Sequence, residues 1–266
     1  MTTATLQAAH RPREYVAVRG PDAAALLGRM VSNDAEGLEP GGSCEALLLT
    51  PKARIVAPMV VLRRGQEDFL LVTEPGLGTV LRAALVRARL RSRCEIEEEE
   101  HDSIVVVGLG EGGIPCADFG VPAVELLDEA PPAGVPLVPL SALEPLRIRA
   151  RTPRWGAELD ERVLPAEAGL EERAISFTKG CYPGQEPVAR LHYRGHPNRT
   201  LRVLALEGDA LPPADAPLSL DGKDVGRVTS AAHDQELGIV ALAYVRREVP
   251  AEAVLALPDG RSARRP

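Results

Sequence analysis

The last quarter of the chain consists of short apolar runs separated by turn residues. Asp221-Gly222 and Asp259-Gly260 are dipeptides typical of tight β-hairpin turns. The runs predicted to be strands are 202–206, 218–220, 225–231, 239–245 and 254–257. Regular short strands with such turns favour a small antiparallel barrel of about 65 residues. We expect the barrel to begin after a polar, turn-rich boundary at 197–200.

Upstream of the barrel, helical and strand patterns alternate. The clearest helix has apolar residues at helical spacing from Leu77 to Ala88, with arginines on the opposite face. Further helices are expected after Gly20-Pro21-Asp22 and from a Ser141 cap. The predicted strands are 14–19, 47–49, 55–62, 68–72 and 104–107. The acidic run 97–100 would repel itself if tightly packed, so it predicts a solvated strand end or turn.

Length and charge limit the classes of protein to consider. A chain of 266 residues can bury most of its unfolded surface and divides into about two domains by length alone. The net charge of −7 opposes general binding to nucleic acid or to anionic membranes, which depends on basic patches. The start of the chain has no apolar signal-peptide core, and no apolar run is long enough to span a membrane. We therefore expect a cytoplasmic protein.

The four cysteines stand at 44, 94, 116 and 181. Their spacing includes no C-x-x-C pair, so it indicates neither a zinc site nor a redox dithiol. Disulfides are not expected in the cytoplasm.

One of these cysteines has an unusual sequence environment. Cys181 is separated by one glycine from Lys179 and is followed closely by a second glycine. Pro187 lacks an amide hydrogen and is tolerated in the first turn of a helix, so a helix is expected to begin near Gln185. The positive end of that helix and the lysine would both favour the thiolate, which is the reactive form of cysteine. The alternative is an inert, buried cysteine that packs as a small apolar residue.

Lysine is rare in this chain, which gives Lys179 more weight. Of 31 basic residues, the lysines are Lys52, Lys179 and Lys223. A lysine is a compact charge with an adjustable pKa, whereas arginine is a planar and permanent cation. This usage indicates a specific role for Lys179.

Aromatic and basic residues gather around the same segment. Trp155, Tyr182 and Tyr193 could stack on a flat ring such as a pterin, although core packing is an equal explanation for nearby Phe177. Arg190, Arg194 and Arg199 suit a carboxylate or phosphate, or form a solvated turn between domains.

Histidines near Cys181 allow two other interpretations. His192 and His196 would be the partners in a Cys-His hydrolase, but the sequence identifies neither an orienting residue nor an oxyanion hole. The same three residues do not supply a four-ligand metal cage at a recognised spacing, so no metal site is predicted.

The run Lys179–Glu186, Lys-Gly-Cys-Tyr-Pro-Gly-Gln-Glu, is the most specific motif of the chain, and we call it the octapeptide. Val188-Ala189-Arg190 and Arg194-Gly195 follow it. Weaker matches occur in the same order along the chain: Gly20-Pro21-Asp22-Ala23, Asn33-Asp34, Pro51-Lys52-Ala53-Arg54, Leu164-Pro165-Ala166-Glu167 and Gly226-Arg227-Val228-Thr229-Ser230. Together they resemble the YgfZ family of folate-binding proteins of iron–sulfur cluster assembly and repair, relatives of the glycine-cleavage T-protein, an aminomethyltransferase.

This resemblance implies an α+β fold with three domains arranged as a cloverleaf. Two α+β domains and a C-terminal antiparallel β-barrel would surround a central channel that holds tetrahydrofolate or a polyglutamylated derivative. Residues 1–50 and 140–197 would form a discontinuous folate-binding domain with the octapeptide. Residues 51–139 would be an inserted α+β domain, and residues 198–266 the barrel.

The resemblance also assigns roles to residues. Cys181 and Lys179 would be the functional pair. The residues expected to contact folate are Asn33, Asp34, Arg54, Tyr182, Gln185, Glu186, Arg190 and Arg194.

Four residues depart from the family pattern. Ala53 stands where glycine is usual, and Ala57-Pro58 and Arg149 stand where aminomethyltransferases carry carboxylates. Those carboxylates manage the proton of the folate amine and grip the pterin ring, so their absence argues against aminomethyl transfer.

The first functional hypothesis is therefore a tetrahydrofolate-binding accessory factor for iron–sulfur proteins or their assembly machinery. Such a factor would be linked to processes such as tRNA modification. It would have no direct nucleic-acid or membrane partner. Cys181 would act as the working thiolate, in redox exchange or in transient contact with iron or sulfur. The alternatives are a folate-dependent one-carbon transferase in which Cys181 is incidental, and a non-catalytic module that senses folate.

Overall fold

The computed structural model describes residues 5–266, and its strands form three sheets. The strands are β1 (Gln7–His10), β2 (Glu14–Arg19), β3 (Ser43–Leu49), β4 (Ile55–Gly65), β5 (Asp68–Thr73), β6 (Glu95–Glu99), β7 (Ser103–Val107), β8 (Ile114–Pro115), β9 (Ala123–Leu127), β10 (Arg199–Leu206), β11 (Pro217–Leu220), β12 (Lys223–Asp234), β13 (Gly238–Arg246), β14 (Leu255–Ala256) and β15 (Ser262–Arg264). The helices are α1 (Ala23–Met30), α2 (Gly78–Arg89), α3 (Glu144–Arg149), α4 (Pro165–Ala168), α5 (Glu171–Ala174) and α6 (Gln185–Arg194).

The first sheet has five antiparallel strands in the order β3-β4-β5-β2-β6. Successive residues of a strand point to opposite faces, and here both faces are covered. One face, with Val16 and Leu71, packs on α1 and α2. The opposite face, with Ala17 and Val72, packs against Ile114 of β8. The strands and both helices predicted for this region are thus present.

The acidic run lies in an edge strand of this sheet. Its first residues belong to β6, which pairs with β2 along its length. Arg19 of β2 contacts both Glu97 (3.8 Å) and Glu99, and Arg64 donates to Glu99 at 2.7 Å. These cations offset the repulsion between the glutamates, so the run is solvated as expected but forms regular strand pairs instead of a turn.

The second sheet has four antiparallel strands in the order β1-β7-β9-β8. Its central strand β7 is buried along its whole length, as its continuous apolar sequence predicted. Val105 and Val107 face one small core with Phe119, and Val106 faces another with Val124. The N-terminal strand β1 closes one edge of this sheet.

The segment 140–195, which we call the linking segment, precedes the barrel in the chain and packs between the first sheet and the barrel. It contains α3 to α6 and irregular turns. Ile148 and Val188 pack with Leu47 of β3 and with Leu242 of β13 in one continuous core. The predicted Ser141 cap is wrong, because a 3₁₀ turn spans Leu140–Leu143 and α3 starts after it without a side-chain cap.

The last six strands form a closed antiparallel barrel in the order β10-β13-β12-β11-β14-β15. β13 is buried at nearly every position and pairs on both sides, with β10 and with β12. Asp221 and Gly222, with φ of 50° and 75°, form the hairpin turn between β11 and β12. The predicted C-terminal barrel is therefore present, with β15 as an additional strand.

The proposed domain boundaries at residues 50 and 140 stay a prediction. Sheet pairing crosses the first of them, because β3 and β4 are adjacent strands on either side of residue 50. Within residues 5–266, none of the helices combines the length and the apolar character needed to cross a membrane.

Candidate functional site

The octapeptide leads into α6, which begins at Gln185 as predicted. Gly184 precedes the helix with φ of 85°, a left-handed conformation that favours glycine. A Cβ atom here would lie 2.6 Å from the carbonyl oxygen of Thr50 and 3.1 Å from the Cα of Ala53. Glycine therefore allows the octapeptide to pack directly on the turn 50–54.

Ala53 preserves the geometry of that turn. Its φ of 58° is left-handed, a conformation that costs an alanine about 1–2 kcal/mol relative to a right-handed one. The Ala53 amide donates to the Thr50 carbonyl at 2.9 Å, and the Arg54 amide donates to the Thr50 hydroxyl at 3.0 Å. The replacement of the usual glycine is thus accommodated by the surrounding hydrogen bonds.

Cys181 is exposed on the loop before α6, whereas the other cysteines are buried or partly buried. Burial raises the pKa of both Cys44 and Cys116 to about 11, and it also raises the pKa of Cys94. These three thiols are therefore protonated near neutral pH, and a protonated thiol is a poor nucleophile and metal ligand. Cys181 is the cysteine that combines a glycine-flanked loop with access to solvent.

The ammonium of Lys179 is directed to the end of α1. Its Nζ donates to the carbonyl oxygens of Val31 (2.6 Å) and Asn33 (3.1 Å), and it lies 5.3 Å from the centre of the Tyr182 ring. Burial lowers the pKa of this lysine. Within the part of the chain that the structure describes, no hydrogen bond joins it to Cys181. The contacts of the ammonium are those of a cation at a helix C-terminus, which is a stabilising position, and its effect on the Cys181 thiol stays a prediction.

Asn33 and Asp34 hold the turn after α1. The Asn33 amide donates to the carbonyl oxygens of Glu45 (2.8 Å) and Arg173 (3.2 Å). Asp34 is exposed and accepts the Gly37 amide at 3.0 Å. Both side chains therefore organise the backbone around Lys179.

Tyr182 belongs to the core beneath the octapeptide. Its side chain is buried, its hydroxyl has no hydrogen-bond partner among the described residues, and burial raises its pKa to about 12. Glu171 lies nearby, and burial raises the pKa of that carboxyl as well. Tyr182 is therefore not open for a ligand to stack on, contrary to one expectation from the sequence.

Three predicted arginines line one surface cleft of about 370 Å³, together with Lys52. Lys52 and Arg54 come from the turn 50–54, and Arg190 and Arg194 from α6. The apolar lining residues include Leu164, Pro165, Pro187 and Leu191. We call this the basic cleft. Gln185 and Glu186 lie in the first turn of α6, and Glu186 is exposed there.

A second site lies where the two open sheets meet the linking segment, and we call it the central cavity. Its volume is about 90 Å³. The lining includes Met59 and Val72 of the first sheet, Ile114 and Glu125 of the second, and Trp155 of the linking segment. It is thus formed by residues far apart in sequence.

Ion pairs dominate the walls of the central cavity. The pairs are Arg11–Asp118 (2.6 Å), Arg13–Glu125 (3.1 Å), Arg173–Asp118 (2.8 Å) and Arg173–Glu45 (2.7 Å). Burial by itself would raise the pKa of Asp118 and Glu125, but the neighbouring arginines outweigh it and lower both. These carboxylates are ionised at neutral pH, and each can still accept further hydrogen bonds.

A pocket of about 290 Å³ adjoins the central cavity and shares Trp155 with it, so we call it the tryptophan pocket. The other shared residues are Arg11, Glu74, Asp118, Arg147 and Arg154. Phe119, Leu140 and Leu143 add apolar surface. A flat ring with polar edges could therefore lie against Trp155 and meet charged groups at its rim.

The charged residues of this site were not predicted from the sequence. Arg11, Arg13 and Asp118 lie outside the motifs, and their partners are distant in the chain. The available signal was local: Arg11-Pro12-Arg13 places two cations in a short connection between two strands, where a turn would usually carry Gly, Asn or Asp. Of the expected ring-stacking residues, Trp155 does line this site.

No family model matches the chain. An aminomethyltransferase of Streptomyces avermitilis is 25% identical over 281 residues, covering 86% of this chain and 75% of that protein. The tRNA-modifying protein YgfZ of Edwardsiella ictaluri is 40% identical over 101 residues, covering 36% of this chain and 30% of that protein.

A solved structure shows the same fold. The crystal structure of glycine cleavage system aminomethyltransferase T from Bartonella henselae superposes with a TM-score of 0.81 at 20% identity, covering 98% of this chain and 85% of that one. The predicted aminomethyltransferase-like fold is confirmed by this superposition. Together with the sequence matches, it confirms the resemblance found in the octapeptide: the chain is a homologue of YgfZ and is related to the aminomethyltransferases.

Proposed function

We propose that this chain is a cytoplasmic, tetrahydrofolate-binding accessory factor for the assembly or repair of iron–sulfur clusters, with Cys181 as its working thiol. The observation that carries the proposal is the contrast among the cysteines. Cys181 is exposed between glycines, while burial raises the pKa of the other three. A thiol presented in this way can reach a partner protein. The cluster-related role rests on the resemblance of the octapeptide to the YgfZ family, and a 40% identity over 101 residues to a tRNA-modifying protein YgfZ supports that resemblance.

The tryptophan pocket is the place that we propose for the folate. A reduced folate has a flat pterin with amide and amine groups along its edge, and it carries one-carbon units when bound to a transferase. Trp155 and Phe119 offer ring-sized apolar surface. Glu74 and Glu144 can accept from the pterin edge, and Arg154, which donates to Glu144 at 2.7 Å, keeps further N–H donors for a ligand carboxylate. The residues present therefore fit the cofactor.

The surroundings of Arg149 do not favour aminomethyl transfer. Arg149 pairs with Asp234 (3.4 Å) and Glu236 (3.0 Å) at the end of β12. It thus ties α3 to the barrel and supplies no carboxylate for the amine of a folate. Pro58 lines the central cavity at another position where a carboxylate would be expected. An accessory role without transferase activity agrees with both substitutions.

The proposal is tested with Cys181→Ala in cells that lack the native gene. Activity of a host iron–sulfur enzyme should fall to the level of the null strain, while the affinity of the purified variant for tetrahydrofolate stays within about twofold of wild type, because the thiol does not line the tryptophan pocket. Cys44→Ala is the matched control and should retain both properties. Full cluster-enzyme activity with Cys181→Ala would refute the proposed thiol.

A further inference from the structure

The basic cleft is separate from the site proposed for folate. It shares no lining residue with the central cavity or the tryptophan pocket. Leu170 lines the central cavity, while the next residue, Glu171, lines the basic cleft. The arginines expected to contact folate thus line an opening apart from the pocket proposed for folate, which leaves room for a second role.

Two rigid elements hold the cations of this cleft. The turn 50–54 carries Lys52 and Arg54, and it is fixed against the octapeptide by the close approach at Gly184. Arg190 and Arg194 stand four residues apart on α6, so their Cα atoms are offset by about 6 Å along the helix axis. The arrangement presents several positive charges at set spacings.

These charges lack acidic partners in the protein. Within residues 5–266, no carboxylate forms a salt bridge with Lys52, Arg54, Arg190 or Arg194; the Arg54 guanidinium donates to the Arg162 carbonyl oxygen. This contrasts with the central cavity, where the arginines pair with carboxylates. The cleft also contains Glu171, which lies 3.6 Å from His192 and whose pKa burial raises. Four unpaired cations in a protein of net charge −7 favour an anionic ligand.

The apolar surface of the cleft narrows the class of ligand. Leu164, Pro165, Pro187 and Leu191 can bury aliphatic side chains. No aromatic residue belongs to the described lining, whereas sites for single-stranded nucleic acid usually contain aromatic rings that stack on bases. Alternate residues of an extended peptide lie about 7 Å apart on the same side, close to the spacing of the two α6 arginines.

We propose that the basic cleft binds an acidic segment of a partner protein, with carboxylates against Arg190 and Arg194 and aliphatic side chains on the apolar floor. α6 starts at the octapeptide, so a partner held here is placed beside the exposed Cys181 loop. The cleft is a docking site, distinct from the site that binds folate.

The test measures the fluorescence anisotropy of a labelled short peptide rich in glutamate and leucine, titrated with the full-length protein at low salt. Arg190→Ala/Arg194→Ala should weaken binding about tenfold, since two charge pairs are lost. Arg87→Ala/Arg91→Ala removes two exposed arginines at the same separation in sequence, one in α2 and one just after it, and should change affinity less than about twofold. Affinity for tetrahydrofolate should be unchanged in both variants, which separates this proposal from the proposed function.

Competition experiments identify the class of ligand. Unlabelled peptide should displace the probe at lower concentration than either a single-stranded RNA or tetrahydrofolate pentaglutamate. Stronger displacement by the RNA would make the cleft a nucleic-acid site, and stronger displacement by the pentaglutamate would make it the folate tail site. Absence of peptide binding to wild type, or equal loss in the two double variants, would likewise overturn the proposal.

Discussion

Exposure distinguishes Cys181 from the other cysteines at the scale of single residues. Iodoacetamide added near neutral pH should label Cys181 first, because burial keeps Cys44, Cys94 and Cys116 protonated. Peptide mapping by mass spectrometry after a short reaction checks the order. Labelling of any other cysteine before Cys181 would remove the basis for calling it the working thiol.

The role of Lys179 is tested by two measurements, the free energy of unfolding and the rate of Cys181 alkylation. Its ammonium is bound by the carbonyls of Val31 and Asn33, so Lys179→Ala should lower the free energy of unfolding by about 1–2 kcal/mol. The rate of Cys181 alkylation should change less than about twofold. A marked slowing of alkylation would mean that Lys179 activates the Cys181 thiol, as the sequence suggested. Lys52→Ala is the control for the loss of a lysine charge elsewhere.

The sequence was informative about single residues where the signal is local. Pro187 and Gly184 predicted the start of α6, and glycines on both sides of Cys181 are consistent with its exposure. The partner of Lys179 could not be predicted, because Val31 is 148 residues away in the chain. The distant group that a side chain contacts depends on tertiary packing, which the residues next to it in the sequence do not determine.

At the scale of elements, the docking of the octapeptide on the turn 50–54 depends on Gly184. Gly184→Ala should reduce the free energy of unfolding by about 2 kcal/mol, since alanine disfavours the left-handed φ of 85° and its Cβ would meet the Thr50 carbonyl. Gly180→Ala is the matched control, because a Cβ there has no atom within 4 Å. Denaturant unfolding measures both, and equal stability of the two variants would contradict this role.

Elements with a clear periodic pattern were predictable. The helix α2 and the hairpin at Asp221-Gly222 follow from apolar spacing and turn chemistry. Strand β6 was harder, because its pairing depends on Arg19 and Arg64 of other strands. Strand β15 has only three residues and takes its conformation from pairing with β10 and β14.

At the scale of the whole molecule, Asp118 joins separate units by pairing with Arg11 and Arg173. Asp118→Asn should lower the free energy of unfolding by about 3 kcal/mol at neutral pH, because it removes the charged partner of two largely buried arginines. Asp209→Asn, at an exposed carboxylate, should have little effect. Thermal unfolding checks both, and an unchanged midpoint for Asp118→Asn would show that the network contributes little.

The contribution of Asp118 to the free energy of unfolding should depend on pH. The arginines lower the folded-state pKa of Asp118, so its stabilisation is fully present above the unfolded value of about 3.9. It is lost as pH falls from there through the folded-state pKa. The stability difference between wild type and Asp118→Asn should therefore shrink below about pH 4, and a difference independent of pH would argue against the ion pair as its cause.

The overall fold was predictable from the octapeptide and the barrel pattern, whereas the central cavity was not. Its walls bring together residues from Arg11 to Arg173, and its ion pairs join residues that are far apart in the chain. The resemblance placed Arg54, Arg190 and Arg194 with the folate, which stays a prediction; in the structure they line the basic cleft, apart from the central cavity and the tryptophan pocket.

Calorimetric titration of the purified protein with tetrahydrofolate tests the central claim most directly. Wild type should bind and be thermally stabilised by the ligand. Trp155→Ala should bind about tenfold more weakly through loss of the stacking surface, while Trp155→Phe should retain most of the affinity. No heat and no thermal stabilisation with wild type at millimolar ligand, or equal affinity for wild type and Trp155→Ala, would contradict folate binding in the tryptophan pocket.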